Sequence, residues 1–118
     1  MLDEQHFVVF FDVINGRELD KLEAQLTENA QFHFPKTQPL FGKKQIIRFF
    51  KILYRRYPVL DFRIQRQIIQ GNLAAVHWTN RGADKKQELY ENEGVTLFEM
   101  EGEKVRFMSD FFKDTGKF

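Results

Sequence analysis

The chain of 118 residues contains no cysteine, and it has only three prolines and one tryptophan. Without cysteine there is no disulfide and no thiolate metal site, so the composition fits a reducing compartment. Neither sign of charge is in excess, since 18 Lys and Arg oppose 17 Asp and Glu at a formal net charge of +1. A balanced charge supplies no long-range field, so neither nucleic acid nor a membrane is expected as a partner.

Long apolar runs are lacking as well. No uninterrupted run approaches the ~20 residues that span a bilayer, and MLDEQHF carries two acids before any apolar run, unlike a secretory signal. The sequence therefore predicts a cytoplasmic protein. His6, His33 and His77 are too far apart for ligand spacing, so no metal is expected. No Gly-rich phosphate loop is present, so no cofactor is expected either.

Phenylalanine is what the chain has in abundance, with fourteen residues against three tyrosines. Rings in this number can fill a core or line a cavity, and core packing is the simpler use of most of them. The length suffices for a hydrophobic core, so residues 1–118 are expected to form one domain.

The spacing of apolar residues predicts three helices followed by strands. The helices are expected at residues 2–15, at 18–27, and from about 43 until Pro58 ends the third. A short strand is expected at 31–34, and KTQPLFG is interpreted as a loop. After Pro58, extended segments at 60–70, 73–81, 88–100 and 104–112 predict a meander of four antiparallel strands, the first two joined at Gly71-Asn72. Segregated helices and strands indicate an α+β fold, with the helices on one face of a curved sheet.

This order of elements resembles the nuclear transport factor 2-like fold and, within it, the SnoaL-like group. The resemblance rests on the segments FHFPKTQPLFGKKQIIRFF, VHWTNRG, YENEGVTLFEMEGEKV and MSDFFKDT. It implies a cone-shaped, cystatin-like sheet wrapped around three N-terminal helices. The superfamily contains ketosteroid isomerases, polyketide cyclases, epoxide hydrolases, dehydratases and binding modules, so the fold alone does not set the reaction.

Only some of the catalytic residues of these relatives have a counterpart in this sequence. The ketosteroid isomerase groups fall at Phe34, Gly94 and Val9, which lack the required side chains. The limonene epoxide hydrolases have an aspartate before two aromatics in the last strand, as at Asp110, but their Arg-x-Asp falls at residues 78–80, which read Trp-Thr-Asn. The resemblance therefore implies a SnoaL-like domain in which one carboxylate remains.

Alternation along the last three strands selects the side chains on the covered face of the sheet. The predicted substrate-binding residues on this face are Trp78, Asn80, Tyr90, Asn92, Phe98, Met108 and Phe112, and Thr96 lies among them. Aromatic walls with a few polar groups suit a small apolar ligand. Core packing is the alternative for the four apolar members, and contacts with loops or the rim are the alternative for Asn80, Tyr90 and Asn92.

Asp110 is the predicted catalytic residue. It stands in the apolar strand FMSDFFKD on the same face as Met108 and Phe112. Burial among rings raises the pKa of a carboxyl unless donors hold the charge. The expected donors are Trp78, Asn80, Tyr90 and Asn92. A carboxyl placed in this way can act as a general base, and the alternative is a hydrogen-bonded structural aspartate.

Three functions stay open at this point. The first is an enzyme of the isomerase, cyclase or hydrolase type that acts on a small apolar carbonyl or epoxide compound without a cofactor. The second is a non-catalytic small-ligand-binding module. The third is nucleic-acid binding by the basic stripe of the third helix, which is more simply the solvated face of an amphipathic helix.

A homodimer is expected from the opposite face of the sheet. The outer side of the last two strands is expected to carry Val95, Leu97, Val105, Phe107 and Phe111. An exposed apolar patch of this kind marks an interface, so the sequence predicts a dimer packed through the convex face. The alternative is that a terminal segment covers the patch.

Overall fold

The computed structural model describes residues 2–116, which form three helices and one curved, open sheet of six strands. The helices are α1 (Glu4–Asn15), α2 (Leu19–Ala24) and α3 (Lys43–Arg56). The strands are β1 (Leu26–His33), β2 (Leu40–Phe41), β3 (Val59–Gln70), β4 (Leu73–Ala83), β5 (Leu89–Glu101) and β6 (Lys104–Phe112). The predicted α+β class is confirmed. Met1, Lys117 and Phe118 lie outside the described residues, so the domain bounds 1–118 stay a prediction.

The sheet has the order β2-β1-β6-β5-β4-β3. The predicted meander accounts for β3 to β6, which pair antiparallel in chain order. On the other side of β6, β1 pairs parallel to it, and the two-residue β2 completes the edge inside the segment that was predicted to be a loop.

The predicted boundary between α2 and β1 is wrong. Residues 18–27 were expected to be helical, yet α2 ends at Ala24 and β1 begins at Leu26. Leu22 and Leu26 suit a helical stripe, and periodicity over so short a segment cannot separate helix from strand. Pairing with β6 makes Leu26 part of a strand, because Leu26 lies opposite Val105 and the Val105 N–H donates to Gln25 O at 2.8 Å.

Helix α1 covers the concave face of the sheet. Asp3 Oδ1 caps its first turn by accepting from the His6 N–H at 3.2 Å. Its phenylalanines recur at helical spacing, so Phe7, Phe10 and Phe11 are buried together. Phe10 packs edge-to-face on Phe98 of β5, with ring centroids 5.3 Å apart. This contact joins the helical layer to the sheet.

Arg17, in the turn after α1, is hydrogen-bonded to the end of α3. Its guanidinium donates to the carbonyl oxygens of Tyr54, Tyr57 and Pro58 at 3.1, 2.8 and 2.8 Å. These carbonyls at the end of α3 have no intrahelical donor, so one arginine satisfies several of them. The Tyr54 hydroxyl donates in turn to Ile14 O at 2.8 Å. The two long helices are thereby held at a defined separation above the sheet.

A β-bulge in β6 reverses the expected side of Val105. Glu99 pairs with Phe107, whereas the next residue, Met100, pairs with Val105, so Arg106 is the extra residue. A shift of one residue moves a side chain to the other face. Val105 is therefore 1% exposed, and its predicted place on the outer face is wrong.

Candidate functional site: an aromatic cavity with one carboxyl group

A cavity of about 30 Å³ lies between α1, α3 and the concave face of the sheet. Its rings include Phe10 and Phe11 from α1, Phe49 and Phe50 from α3, and Trp78, Tyr90, Phe98 and Phe112 from the sheet. This volume holds about one or two water molecules. A larger ligand therefore fits only if side chains of the lining move. The half-buried rings of the lining are Phe34, Phe49, Phe62 and Phe112.

The structure brings all but one of the predicted site residues to this cavity. Those that line it are Trp78, Asn80, Tyr90, Phe98, Met108, Asp110 and Phe112. Asn92 lies outside the lining, where its amide donates to Tyr90 Oη at 2.9 Å and to Asp114 O at 2.7 Å. It supports a wall of the cavity and does not form one. The ligand-binding roles of all these residues stay predictions.

Sequence reasoning missed the half of the cavity that the helices and the outer strands supply. Phe10, Phe11, Phe49 and Phe50 come from the helices and Phe62 from β3. The signal was available, because adjacent phenylalanine pairs in α1 and α3 lie on their apolar faces. Which of these rings meet one another depends on how the helices cross the sheet.

Thr96 links Trp78 to Asp110 through two hydrogen bonds. The indole Nε1–H of Trp78 donates to Thr96 Oγ1 at 2.8 Å, and Thr96 Oγ1 donates to Asp110 Oδ1 at 2.6 Å. The threonine hydroxyl has one hydrogen, and because its oxygen already accepts from the indole, that hydrogen points to the carboxyl group. The prediction that Trp78, Asn80, Tyr90 or Asn92 donates directly to Asp110 is wrong, since Thr96 stands between Trp78 and the carboxyl group.

The carboxyl group of Asp110 has the protonation chemistry of a general acid–base group. Burial raises its pKa from 3.8 to about 7, and the hydrogen bond from Thr96 offsets part of that rise. Near neutral pH both protonation states are therefore populated. Because Oδ1 accepts from Thr96, the titrating proton is carried by Oδ2. The side chain is only partly buried and lines the cavity.

Gly94 makes room for this hydrogen-bonded chain. It pairs with Trp78 on one side and with Phe112 on the other. A Cβ at this position would lie 2.4 Å from Phe111 O, 2.7 Å from Phe112 Cβ and 2.9 Å from the Trp78 ring. The indole can therefore cross β5 and reach Thr96 only because residue 94 has no side chain.

Gly94→Ala is expected to destabilise the protein by about 1–3 kcal/mol through overpacking. The added methyl group meets backbone atoms that cannot move aside, so Trp78 is displaced and its fluorescence emission changes. Chemical denaturation and emission spectra measure the two effects. The matched control is Gly102→Ala, at a turn with φ of +61° and no atom within 4 Å, which lowers stability without altering Trp78 emission. Wild-type stability and emission in Gly94→Ala would contradict this account.

Two further polar side chains line the cavity beyond Thr96 and Asp110. Burial raises the pKa of Tyr90 to about 12, so its phenol stays protonated, and its ring packs on Tyr57 with centroids 4.8 Å apart. Asn80 is buried and shares a side-chain hydrogen bond with Tyr90, while its Oδ1 has no hydrogen-bond partner among residues 2–116.

Across residues 2–116, no group of three or more His, Cys, Asp or Glu side chains is arranged to hold a metal ion. None of the described helices combines the length and the apolar character needed to cross a membrane.

Helices packed on a curved sheet around a ring-lined cavity define the nuclear transport factor 2-like class of α+β protein. The model of the SnoaL-like domain family matches residues 8–108, and the chain belongs to that family. The predicted resemblance is thus confirmed. The matched segment ends two residues before Asp110, so the match says nothing about the role of that residue. No curated protein matches the sequence.

Solved structures with the same fold share little sequence with this chain. A protein assigned as a SnoaL-like polyketide cyclase from Jannaschia sp. CCS1 is 21% identical, with a TM-score of 0.84 over 92% of this chain and 83% of its own. An NTF2-like protein of unknown function from Burkholderia pseudomallei K96243 is 16% identical, with a TM-score of 0.85 over 92% and 88%. TerC, co-crystallised with polyporic acid, is 14% identical, with a TM-score of 0.83 over 92% and 91%. Identities this low establish the fold alone.

Proposed function

We propose that this protein binds a small, largely apolar ring compound in the aromatic cavity and acts on it by acid–base chemistry through Asp110. The reaction is of the isomerase, cyclase or hydrolase type, on a carbonyl or epoxide compound, and it needs no cofactor. The observation that carries the proposal is a carboxyl group with a pKa of about 7, held by Thr96 at the wall of a ring-lined cavity.

For a carbonyl substrate, Asp110 acts in two steps. Its ionised carboxylate takes a proton from the carbon next to the carbonyl group, so that the C–H bond breaks and an enolate forms. The protonated carboxyl group then returns the proton, either to another carbon of the enolate or, after the enolate carbon has attacked a second carbonyl group, to the alkoxide oxygen that this attack forms. A pKa near the working pH suits both steps, because the same group has to accept and donate.

Two of the structural neighbours support the choice of reaction and ligand. One is assigned as a polyketide cyclase, and another was crystallised with polyporic acid. Both names agree with a cavity whose walls are aromatic rings, since such walls favour flat ring compounds. The particular substrate is not part of the proposal.

The second candidate is a binding module of the same fold without turnover. It is favoured by the absence of further acidic or basic side chains in the lining, where Asp110 is the one carboxylate among the described residues. Isomerases and hydrolases that work by charge stabilisation use additional polar groups. Binding experiments alone do not separate the two candidates, whereas a measurement of proton transfer does.

Ligand binding is expected to change the fluorescence of Trp78, the single tryptophan, because its ring lines the cavity. A panel of fused-ring ketones, quinones and phenols is titrated into the protein, and native mass spectrometry counts the bound molecules. Saturable quenching or a spectral shift with one ligand per chain is the expected result. The absence of any bound compound by both methods would remove the enzyme and the binding module together.

We further propose that the protein is a cytoplasmic homodimer packed through the convex face, free of metal, nucleic acid and membrane. Leu97 and Phe111 are 42% and 57% exposed there, and Val95 and Phe107 extend the same apolar surface. Leu97→Glu is expected to convert the dimer to a monomer in light scattering. The matched control is Ile52→Glu, on the 51% exposed residue of α3, which leaves the dimer intact. A wild-type monomer at micromolar concentration would overturn the assembly.

A further inference from the structure

Asn80 carries a hydrogen-bond acceptor that has no donor among residues 2–116. The residue is only 6% exposed and lines the cavity, and its Oδ1 is buried and without a partner. An unsatisfied buried polar atom costs about 1–3 kcal/mol, and native proteins contain few of them. An atom of this kind at the wall of a cavity indicates that its partner comes from a bound molecule.

Asn80 shares a side-chain hydrogen bond with Tyr90, but this bond leaves Oδ1 without a partner. Other donors of the site are already used. Trp78 Nε1–H is bonded to Thr96, and the amide of Asn92 is shared between Tyr90 Oη and Asp114 O. On the neighbouring strand β3, Phe62 lies opposite Asn80, and the side chain of Phe62 has no hydrogen-bond donor. A ligand that fills the cavity must therefore supply the donor itself or leave Asn80 Oδ1 unpaired. A water molecule bound there changes nothing, since the ligand that displaces it has to replace its hydrogen bond.

The register of the sheet separates Asn80 from Asp110 by a defined length. Asn80 lies opposite Asn92 and Asp110 lies opposite Thr96, which is four residues further along β5. At ~3.3 Å per residue the two positions are about 13 Å apart along the strand direction. Trp78, which also lines the cavity, pairs with Gly94, midway between them.

We propose that Asn80 determines ligand specificity, and that the ligand is a flat, fused-ring carbonyl compound with a hydroxyl group that donates to Asn80 Oδ1. The hydroxyl group is bound at one end of the cavity while the carbonyl end lies at Asp110. This inference deepens the proposed function, on which it rests, but the contact with Asn80 requires only binding and no turnover.

The test compares two probes that differ in one group. 2-Naphthol donates an O–H, whereas 2-methylnaphthalene has nearly the same shape and no donor. Equilibrium dialysis gives the ratio of their dissociation constants for the wild type, Asn80→Leu and Asn80→Asp. Comparing ratios removes the general preference of an apolar cavity for a methyl group. Asn80→Leu is expected to shift the ratio toward 2-methylnaphthalene by roughly 5- to 100-fold, the equivalent of one unpaired buried acceptor. Asn80→Asp, which keeps an acceptor, is expected to retain the preference for 2-naphthol.

The control variant is Phe62→Leu, which alters the wall opposite Asn80 without removing an acceptor. It is expected to weaken both probes by the same factor. An unchanged ratio in Asn80→Leu overturns the role of Asn80 and leaves the proposed function intact. Failure of both probes to bind the wild type overturns the specificity proposal and counts against the cavity as a binding site. The broader ligand panel then decides whether the cavity binds any ligand. If Asn80→Leu does not fold, the ratio in Asn80→Ala supplies the same comparison.

Discussion

Replacing Asp110 by asparagine is expected to lower turnover by about 10²–10⁴-fold while ligand binding is retained, because the amide keeps the shape of the side chain and loses the titrating proton. Proton transfer can be measured before the natural substrate is known. The fused-ring ketone 2-tetralone has an exchangeable C–H next to its carbonyl group. In deuterated buffer, a general base that binds it accelerates the incorporation of deuterium, which NMR follows directly.

The matched control for this experiment is Asp114→Asn. Asp114 lies four residues further along the chain, where its side chain accepts from the N–H of Gly116 and does not line the cavity. Its replacement changes the charge by the same amount and should leave the exchange rate unaltered. Full exchange activity in Asp110→Asn would end the acid–base role, and the protein would then be best described as a binding module. Binding and exchange together thus separate the two candidate functions.

The contribution of Asp110 to the stability of the protein is expected to fall as the pH rises from about 4 to about 8, and Asp110→Asn is expected to remove that contribution. The folded-state pKa of Asp110 is raised from 3.8 to about 7, so the folded protein holds this proton more tightly than the unfolded chain does. The stabilising effect of protonation is complete below pH 3.8 and is lost as the pH rises through about 7. Three pKa units correspond to about 4 kcal/mol, which is an upper limit for a partly buried group.

Urea denaturation of the wild type and Asp110→Asn at several pH values measures this difference. The variant should be more stable than the wild type near pH 8 and nearly equal to it near pH 4. Thr96→Val provides the internal comparison, because the hydrogen bond from Thr96 lowers the pKa of Asp110. Without that bond the pKa of Asp110 is raised further, so the fall in stability should extend to higher pH. Parallel stability curves for the wild type and Asp110→Asn would show that the pKa of this carboxyl group is not raised in the folded state.

The position of Asp110 illustrates what strand alternation can predict. Residues two apart share a face, so Met108, Asp110 and Phe112 could be assigned to the concave side without any knowledge of the tertiary structure. The same alternation assigned Trp78, Asn80, Tyr90 and Phe98 to that side. Alternation failed at Val105, because a bulge adds one residue and reverses the faces beyond it.

By itself, the sequence determined the order of helices and strands, the concave face of the central strands, and the presence of one carboxyl group among aromatic rings. These properties follow from the spacing of apolar residues, which is a local signal. The tertiary structure alone decided that β1 pairs with β6, that Thr96 stands between Trp78 and Asp110, and that Asn80 Oδ1 is left without a donor. Each of these depends on the register between strands distant in sequence, and in the second case on the space above Gly94. Local periodicity carries no information about that register, because the same alternating pattern is compatible with several pairings.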